Sequence, residues 1–77
     1  MKEFVEFIAK HLVDNPEAVV IREKVNEEKK VIFSLKVGQN DIGKVIGKKG
    51  RTAIAMRTLL TAVAAKQGKR AILDIED

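Results

Sequence analysis

The residues best placed to do chemistry lie in one stretch, Asp41 to Met56, DIGKVIGKKGRTAIAM. Glycines at 43, 47 and 50 are interleaved with Lys44, Lys48 and Lys49, and Arg51 opens an apolar helical pattern directly afterwards. Glycine costs roughly 1 kcal/mol in a helix interior relative to alanine, so a helical pattern broken and resumed at once implies a use for the break. Gly47 and Gly50, flanking two residues, let the chain turn sharply through backbone angles closed to other residues. They also leave no side chain between the main chain and an approaching ligand. A helix starting at Arg51 aims its unpaired N–H groups and the positive end of its dipole at the same place. Lys48, Lys49 and Arg51 add full charges, with Lys44 one turn earlier. All of these features favour phosphate, held by contact rather than transformed.

The glycines admit two other readings. Gly38 to Val45, GQNDIGKV, is one residue from the nucleotide-binding pattern G-x-x-x-x-G-K-[ST]. The Ser/Thr of that pattern supplies a hydroxyl to Mg²⁺, and Val45 has none to offer. The second reading is packing: Gly43 and Gly47, four apart, could let two helices approach closely. It suits Gly43 and leaves Gly47 and Gly50 unexplained. Catalysis finds no support, because the acids are scattered, no Ser or Thr has a His nearby, and Ser34 alternates outward from a strand. His11 has no partner at ligand spacing and reads as a surface residue. With no cysteine, neither a disulfide framework nor a thiolate metal site is available. We therefore expect no enzyme, no cofactor and no metal.

At 77 residues the chain is expected to form one domain, residues 1–77, burying about 60% of its unfolded surface. Apolar residues at 45% and charged residues at 34% give a globular balance rather than a disordered one. The first residues, MKEFVEFIAKHLV, are interrupted by Glu6 and Lys10 and lack a small-residue cleavage site, so they do not read as a signal sequence. No run approaches the roughly 20 apolar residues that span a bilayer, so a cytoplasmic protein without membrane contact is expected. The net charge of +4 is unevenly spread. Met1 to Gly43 carries 7 Lys/Arg against 8 Asp/Glu, whereas Lys44 to Arg70 carries 8 Lys/Arg and no acid. One-signed segregation of this kind is the footprint of a polyanion surface, and nucleic acid is the commonest polyanion for a soluble domain.

The elements that must position the glycine stretch can be read from periodicity. Val5, Ile8, Ala9 and Leu12 follow the i, i+3, i+4, i+7 rule of an amphipathic helix, with Phe4 and Phe7 widening the buried stripe. Asp14-Asn15-Pro16 ends it. Ala18 to Val25 reads as a strand. A second follows the polar NEEKK turn, with Val31, Phe33, Leu35 and Val37 facing one way, and the two form an antiparallel hairpin. Gly38 to Asp41 offers a turn and a helix N-cap, and Ile42, Val45 and Ile46 give a short helix one apolar edge. A longer helix runs from near Arg51 to about Lys66, ended by Gln67-Gly68, and Arg70 to Glu76 alternates as a third strand. The order α-β-β-α-α-β predicts an α+β fold, a three-stranded sheet with its helices packed on one face.

Val45-Ile46-Gly47-Lys48-Lys49-Gly50-Arg51-Thr52-Ala53 resembles V-I-G-x-x-G-x-x-I, the signature of the KH domains, with Ala53 where a larger aliphatic is usual. The element order resembles the type II arrangement of bacterial KH proteins over essentially the whole chain. More narrowly, the chain resembles the small stand-alone KH proteins of the KhpA type. That resemblance implies RNA binding in the cytoplasm, self-association, and partnership with a larger KH-containing protein of the Jag type. It places single-stranded RNA on Lys44, Ile46, Gly47, Lys48, Lys49, Gly50 and Arg51. A KH groove holds about four nucleotides by their backbone over an aliphatic floor, to which Ile42, Val45 and Ile46 are candidates. The absence of Trp and Tyr, with Phe only at 4, 7 and 33, argues against a sheet that stacks bases. On the long helix Ala53, Met56, Leu60, Val63 and Ala64 face the sheet. Ile54, Leu59 and Ala62 lie outside that arc and are expected to form a homodimer interface. Two readings from other classes stand beside RNA: a protein-interaction module that uses the fold for assembly, and a single-stranded DNA binder.

Overall fold

The computed structural model describes residues 1–76. Helix α1 (Lys2–Leu12) buries Val5 and Ala9, and Met1, Ile8 and Leu12 pack at the margin of the core. Phe7 does not join them. It is 62% exposed and rests its ring on His11, the centroids 4.3 Å apart. The reason is angular: at about 100° per residue Phe7 falls roughly 160° from Val5, on the side away from the sheet. Val13 is extended, and Pro16–Ala18 forms a single 3₁₀ turn, so the first strand starts later than the expected Ala18.

Strands β1 (Val20–Asn26) and β2 (Lys30–Lys36) form the expected antiparallel hairpin, in register from Val20 opposite Lys36 to Asn26 opposite Val31, with an irregularity between Glu23 and Val25. Strand β3 (Arg70–Ile75) pairs with β2 in parallel, from Lys30 beside Arg70 to Leu35 beside Ile75, giving the order β1-β2-β3. Parallel neighbours cannot be joined by a tight turn and need a crossover. Helices α2 (Ile42–Ile46) and α3 (Arg51–Lys66), with the glycine loop between them, supply it. The loop is therefore built into the connection that completes the sheet.

Val31, Phe33 and Leu35 of the middle strand meet Val5, Ala9, Val45, Met56 and Leu60 in one core. Burying side chains of this size contributes about 1.5–3 kcal/mol each. Ser34, expected to face solvent, is 2% exposed, and its Oγ has no hydrogen-bond partner among the described residues. It does alternate away from Phe33 and Leu35, but on the middle strand. There Arg22 and Asp74 flank it in register, and Lys24 reaches across to Asp74 at 3.9 Å. A short side chain between longer ones is covered even on the open face of a sheet.

On α3 the buried residues are Ala53, Met56, Leu60 and Ala64, as the periodicity requires, while Val63 is only half-buried. Ala53 is 4% exposed, so a small side chain suffices where the signature usually has a larger one. Ile54 and Leu59 stand in solvent at 59% and 50% exposure. Among the described residues no helix is long and apolar enough to cross a membrane.

Candidate nucleic-acid interface

The glycine loop holds three of its four residues at positive φ. Gly47 has φ 77° and ψ 172°, Lys49 has φ 58° and Gly50 has φ 74°. At Gly47 the requirement is steric as well as torsional, because a Cβ there would sit 2.1 Å from Thr52 Oγ1 and 2.8 Å from Thr52 N. The main chain of Gly47 thus lies directly against the first turn of α3. Lys49 is the one described non-glycine residue in the left-handed region, a conformation costing an L-residue roughly 1–2 kcal/mol. The cost is carried by the middle of the loop, where the chain reverses between α2 and α3.

Gly50 is the N-cap of α3 and has no side chain with which to cap it. The Arg51 N–H donates to Lys48 O, and Gly50 N–H to Gly47 O at 3.1 Å, which closes the turn by backbone alone. Lys48, Lys49 and Arg51 are exposed, and none pairs with a carboxylate among the described residues. The result is an uncapped helix start ringed by three unneutralised cations, with a main chain bare of side-chain cover at its centre.

Lys44 behaves differently. Its Nζ binds the Asp14 carboxylate and lies 3.4 Å from Asp41 Oδ1. Asp41, 3% exposed, was expected to cap α2 but makes no such bond. Its oxygens instead accept the N–H groups of Asp14 (3.2 Å) and Asn15 (3.0 Å), tying the end of α1 to the start of α2. Burial pushes the Asp41 pKa up, but those two N–H donors and Lys44 outweigh it and hold the carboxyl below its ordinary value. The hydrogen bond to Asp14 leads in raising Lys44 above its ordinary value, against a smaller effect of desolvation.

Further along α3, a recess of about 290 Å³ opens between the middle of that helix and the outer edge of β3, lined by Arg57, Leu60, Thr61 and Arg70 to Leu73. Arg70 N–H donates to Lys29 O just before β2 and Glu76 N–H to Leu35 O within it, and in a parallel ladder alternate residues bond in this way. Ala71, Leu73 and Ile75 therefore turn their backbone groups to the open edge. One of these groups is engaged: Arg57 Nε donates to Leu73 O at 3.1 Å.

The profile of the family described as KhpA/KhpB, KH domain, matches residues 2–75. The chain belongs to the KhpA/KhpB family of KH domains. Among curated relatives it is 52% identical to the RNA-binding protein KhpA of Clostridium perfringens over 75 residues, 97% of this chain and 99% of that protein. The RNA-binding protein KhpA of Caldanaerobacter subterraneus subsp. tengcongensis is also 52% identical, with the same coverage. That of Aquifex aeolicus is 49% identical over 97% of this chain and 94% of its own length. No solved structure matches significantly.

Within this KH domain Ile46, Gly47, Lys48, Lys49, Gly50 and Arg51 lie together at the loop, and Lys44 is held by its two carboxylates. Val45 is fully buried and offers no floor, whereas Ile42 and Ile46 are half-buried. Gly43 is not a close-approach glycine, since a Cβ there meets nothing within 4 Å. The sequence reading missed the recess with Arg57, Thr61 and the β3 edge. Its one available signal was the basic run through Arg57 and Arg70, and the pairing that brings them together depends on the strand order. Among the described residues no cluster of His, Cys, Asp or Glu could hold a metal ion.

Proposed function

We propose that this KH domain binds single-stranded RNA without chemistry, clamping the backbone at the GKKG loop. The observation that carries the reading is the combination at Gly47 to Arg51: a bare main chain against an uncapped helix start, with three cations that pair with no carboxylate among the described residues. Phosphates sit against Gly47 to Gly50, with Lys48, Lys49 and Arg51 around them. Lys44, shared with Asp14 and Asp41, contributes less net charge. Ile46 and Ile42 provide aliphatic contact beside the loop. The α3–β3 recess takes the bases, where Arg57, Thr61 and the open backbone edge of β3 offer hydrogen bonds and Leu60 and Ala71 offer apolar contact. The KhpA proteins that resemble this chain over nearly their whole length carry RNA binding in their name.

The test replaces Lys48 and Lys49 together by Asp, which turns attraction into repulsion while leaving both glycines in place. Binding to a mixed single-stranded RNA is expected to fall at least 100-fold, with an unchanged circular dichroism spectrum. A folded variant with wild-type affinity would sink the reading, and a parallel titration with DNA of the same sequence separates RNA from single-stranded DNA.

A second element of the reading is assembly through α3. Ile54 and Leu59 lie about 140° apart around the helix axis, with Ala55, Thr58 and Ala62 between them. Two large side chains bordering a strip of small ones form a seat for a second helix. The same helix of another copy is the proposed occupant, and a larger KH-containing protein of the Jag type is the alternative partner implied by the family resemblance.

A further inference from the structure

All three helices share one core with Val31, Phe33 and Leu35, so they cover one face of the sheet, and the RNA groove lies on their side. Among the described residues no element lies over the other face. Successive side chains of a strand alternate between faces, which turns Lys30, Ile32, Ser34 and Lys36 of β2 to that open side. The register extends each position into a row. Val25, Ile32 and Ile72 stand side by side, all half-buried, as an apolar row across the three strands. Lys30 and Arg70 border it on one side. On the other lies the row of Arg22, Ser34 and Asp74, with Lys36 opposite Val20 beyond it.

Two features of this face call for a cover. The β2–β3 pair is parallel, and parallel sheets are built almost only where both faces are covered. Ile32 and Ile72 of that pair instead meet solvent. Ser34 is the second feature: its Oγ is buried without a partner among the described residues, beneath a bridge from Lys24 on β1 to Asp74 on β3. A buried hydroxyl left unpaired is unfavourable until an acceptor reaches it.

The charge of the face selects the kind of cover. Its cations are Arg22, Lys24, Lys30, Lys36 and Arg70, against Asp74 and, just past β3, Glu76. Lys24 is paired with Asp74, and the other four cations pair with no carboxylate among the described residues. A second copy docking by the same face would set cation against cation. Single-stranded nucleic acid is held by stacking or in a groove, and the rows of this face contain no aromatic side chain. An aliphatic centre within a charged rim is instead the anatomy of a protein interface.

We propose that the open face of the sheet docks an acidic segment of another protein. Aliphatic side chains of that segment cover Val25, Ile32 and Ile72, and its carboxylates meet Arg22 and Lys36 on one side of the row and Lys30 on the other. A carboxylate arriving over Ser34 accepts the hydrogen of its hydroxyl. The partner and the RNA then occupy opposite sides of the domain, so that both are held at once.

The test titrates the ¹⁵N-labelled protein with a short acetylated peptide that alternates glutamate with leucine, isoleucine and valine. Amide shifts are expected to concentrate at Val25, Ile32, Ser34 and Ile72 and to spare Gly47 to Arg51. The same peptide with lysine in place of glutamate, or serine in place of the aliphatic residues, should bind at least tenfold more weakly. Arg22→Glu/Lys36→Glu reverses two exposed cations without recorded bonds and should weaken the acidic peptide about tenfold. Its circular dichroism spectrum should be unchanged and its affinity for single-stranded RNA within about threefold of wild type. Arg22→Ser/Lys36→Ser repeats the measurement with a smaller loss in case the reversal disturbs the hairpin. No binding of the acidic peptide at millimolar concentration, equal binding of the acidic and basic peptides, shifts confined to the loop, or variants that keep full peptide affinity would overturn the proposal. Shifts on the open face produced by an oligouridylate, or by raising the protein concentration alone, would also overturn it and give the surface to nucleic acid or to a second copy.

Discussion

Gly47 and Gly50 share a positive φ and differ in their surroundings, and that difference can be measured. At Gly50 a Cβ would enter open space, so Gly50→Ala meets only the left-handed backbone penalty, about 1–2 kcal/mol. At Gly47 the same methyl would overlap the Thr52 side chain and main chain, so Gly47→Ala is expected to be the more destabilising in urea denaturation and to displace the start of α3. Equal losses at the two positions would show that the turn relaxes more freely than its geometry implies. The GKKG loop was legible in the sequence because everything that shapes it lies within a few residues. The work of Asp41 was not, because its donors at Asp14 and Asn15 are 27 and 26 positions away. That contact sets a pH dependence. Folding lowers the Asp41 pKa, so its stabilisation is complete above the unfolded value of about 3.9 and is lost as pH falls through the lower folded value. Folding raises the Lys44 pKa, so its contribution is complete below about 10.4 and is lost as pH rises through the higher folded value. The urea midpoint should stay level between about pH 5 and 10 and decline at both ends, and Asp41→Asn should lower the plateau and flatten the acid limb.

Among the elements, α3 has the most to cover. Its sheet-facing residues agree with the periodicity in the sequence because 3.6 residues per turn fixes a face wherever apolar side chains recur at that spacing. Its outer face carries Ile54 and Leu59 about half in solvent, and burying the remainder of each contributes about 1–2 kcal/mol toward association. Leu59→Glu is expected to convert a dimer to a monomer in sedimentation equilibrium while leaving the thermal midpoint of the fold nearly unchanged, since the side chain is already half in water. A wild type that is monomeric at tens of micromolar would remove the dimer, and unfolding of the variant would mean that Leu59 supports the core. The strands were legible as elements but not in every side chain. Alternation correctly sends Ser34 to the open face, and only the middle position of β2 between Arg22 and Asp74 explains why it is buried there.

The whole molecule is an elongated body of 35 × 22 × 18 Å. Its helices lie on one face of the sheet, and cations stand at both ends of α3, Lys48, Lys49 and Arg51 at its start and Lys66 at its close. The α+β class and element order could be read from the sequence, because each element announces itself by its own period. The strand order could not, because whether β3 joins β1 or β2 is decided by how the α2–loop–α3 crossover packs, and that packing involves residues far apart in sequence. The same crossover governs the order in which the chain can assemble. The β1–β2 hairpin closes over a short turn, whereas Leu73 must find Phe33 across the whole intervening segment and meets a larger loop-closure entropy. Hairpin contacts are therefore expected to be present in the folding transition state, with β3 docking late. Conservative truncations in the hairpin such as Val31→Ala should slow refolding in stopped-flow experiments, while Ile72→Val should mainly speed unfolding. The reverse pattern would place β3 in the nucleus. Late docking has a consequence for any RNA held in the α3–β3 recess: that half of its seat exists only once the last strand is in place, so a nascent or partly unfolded chain would hold RNA by the loop alone.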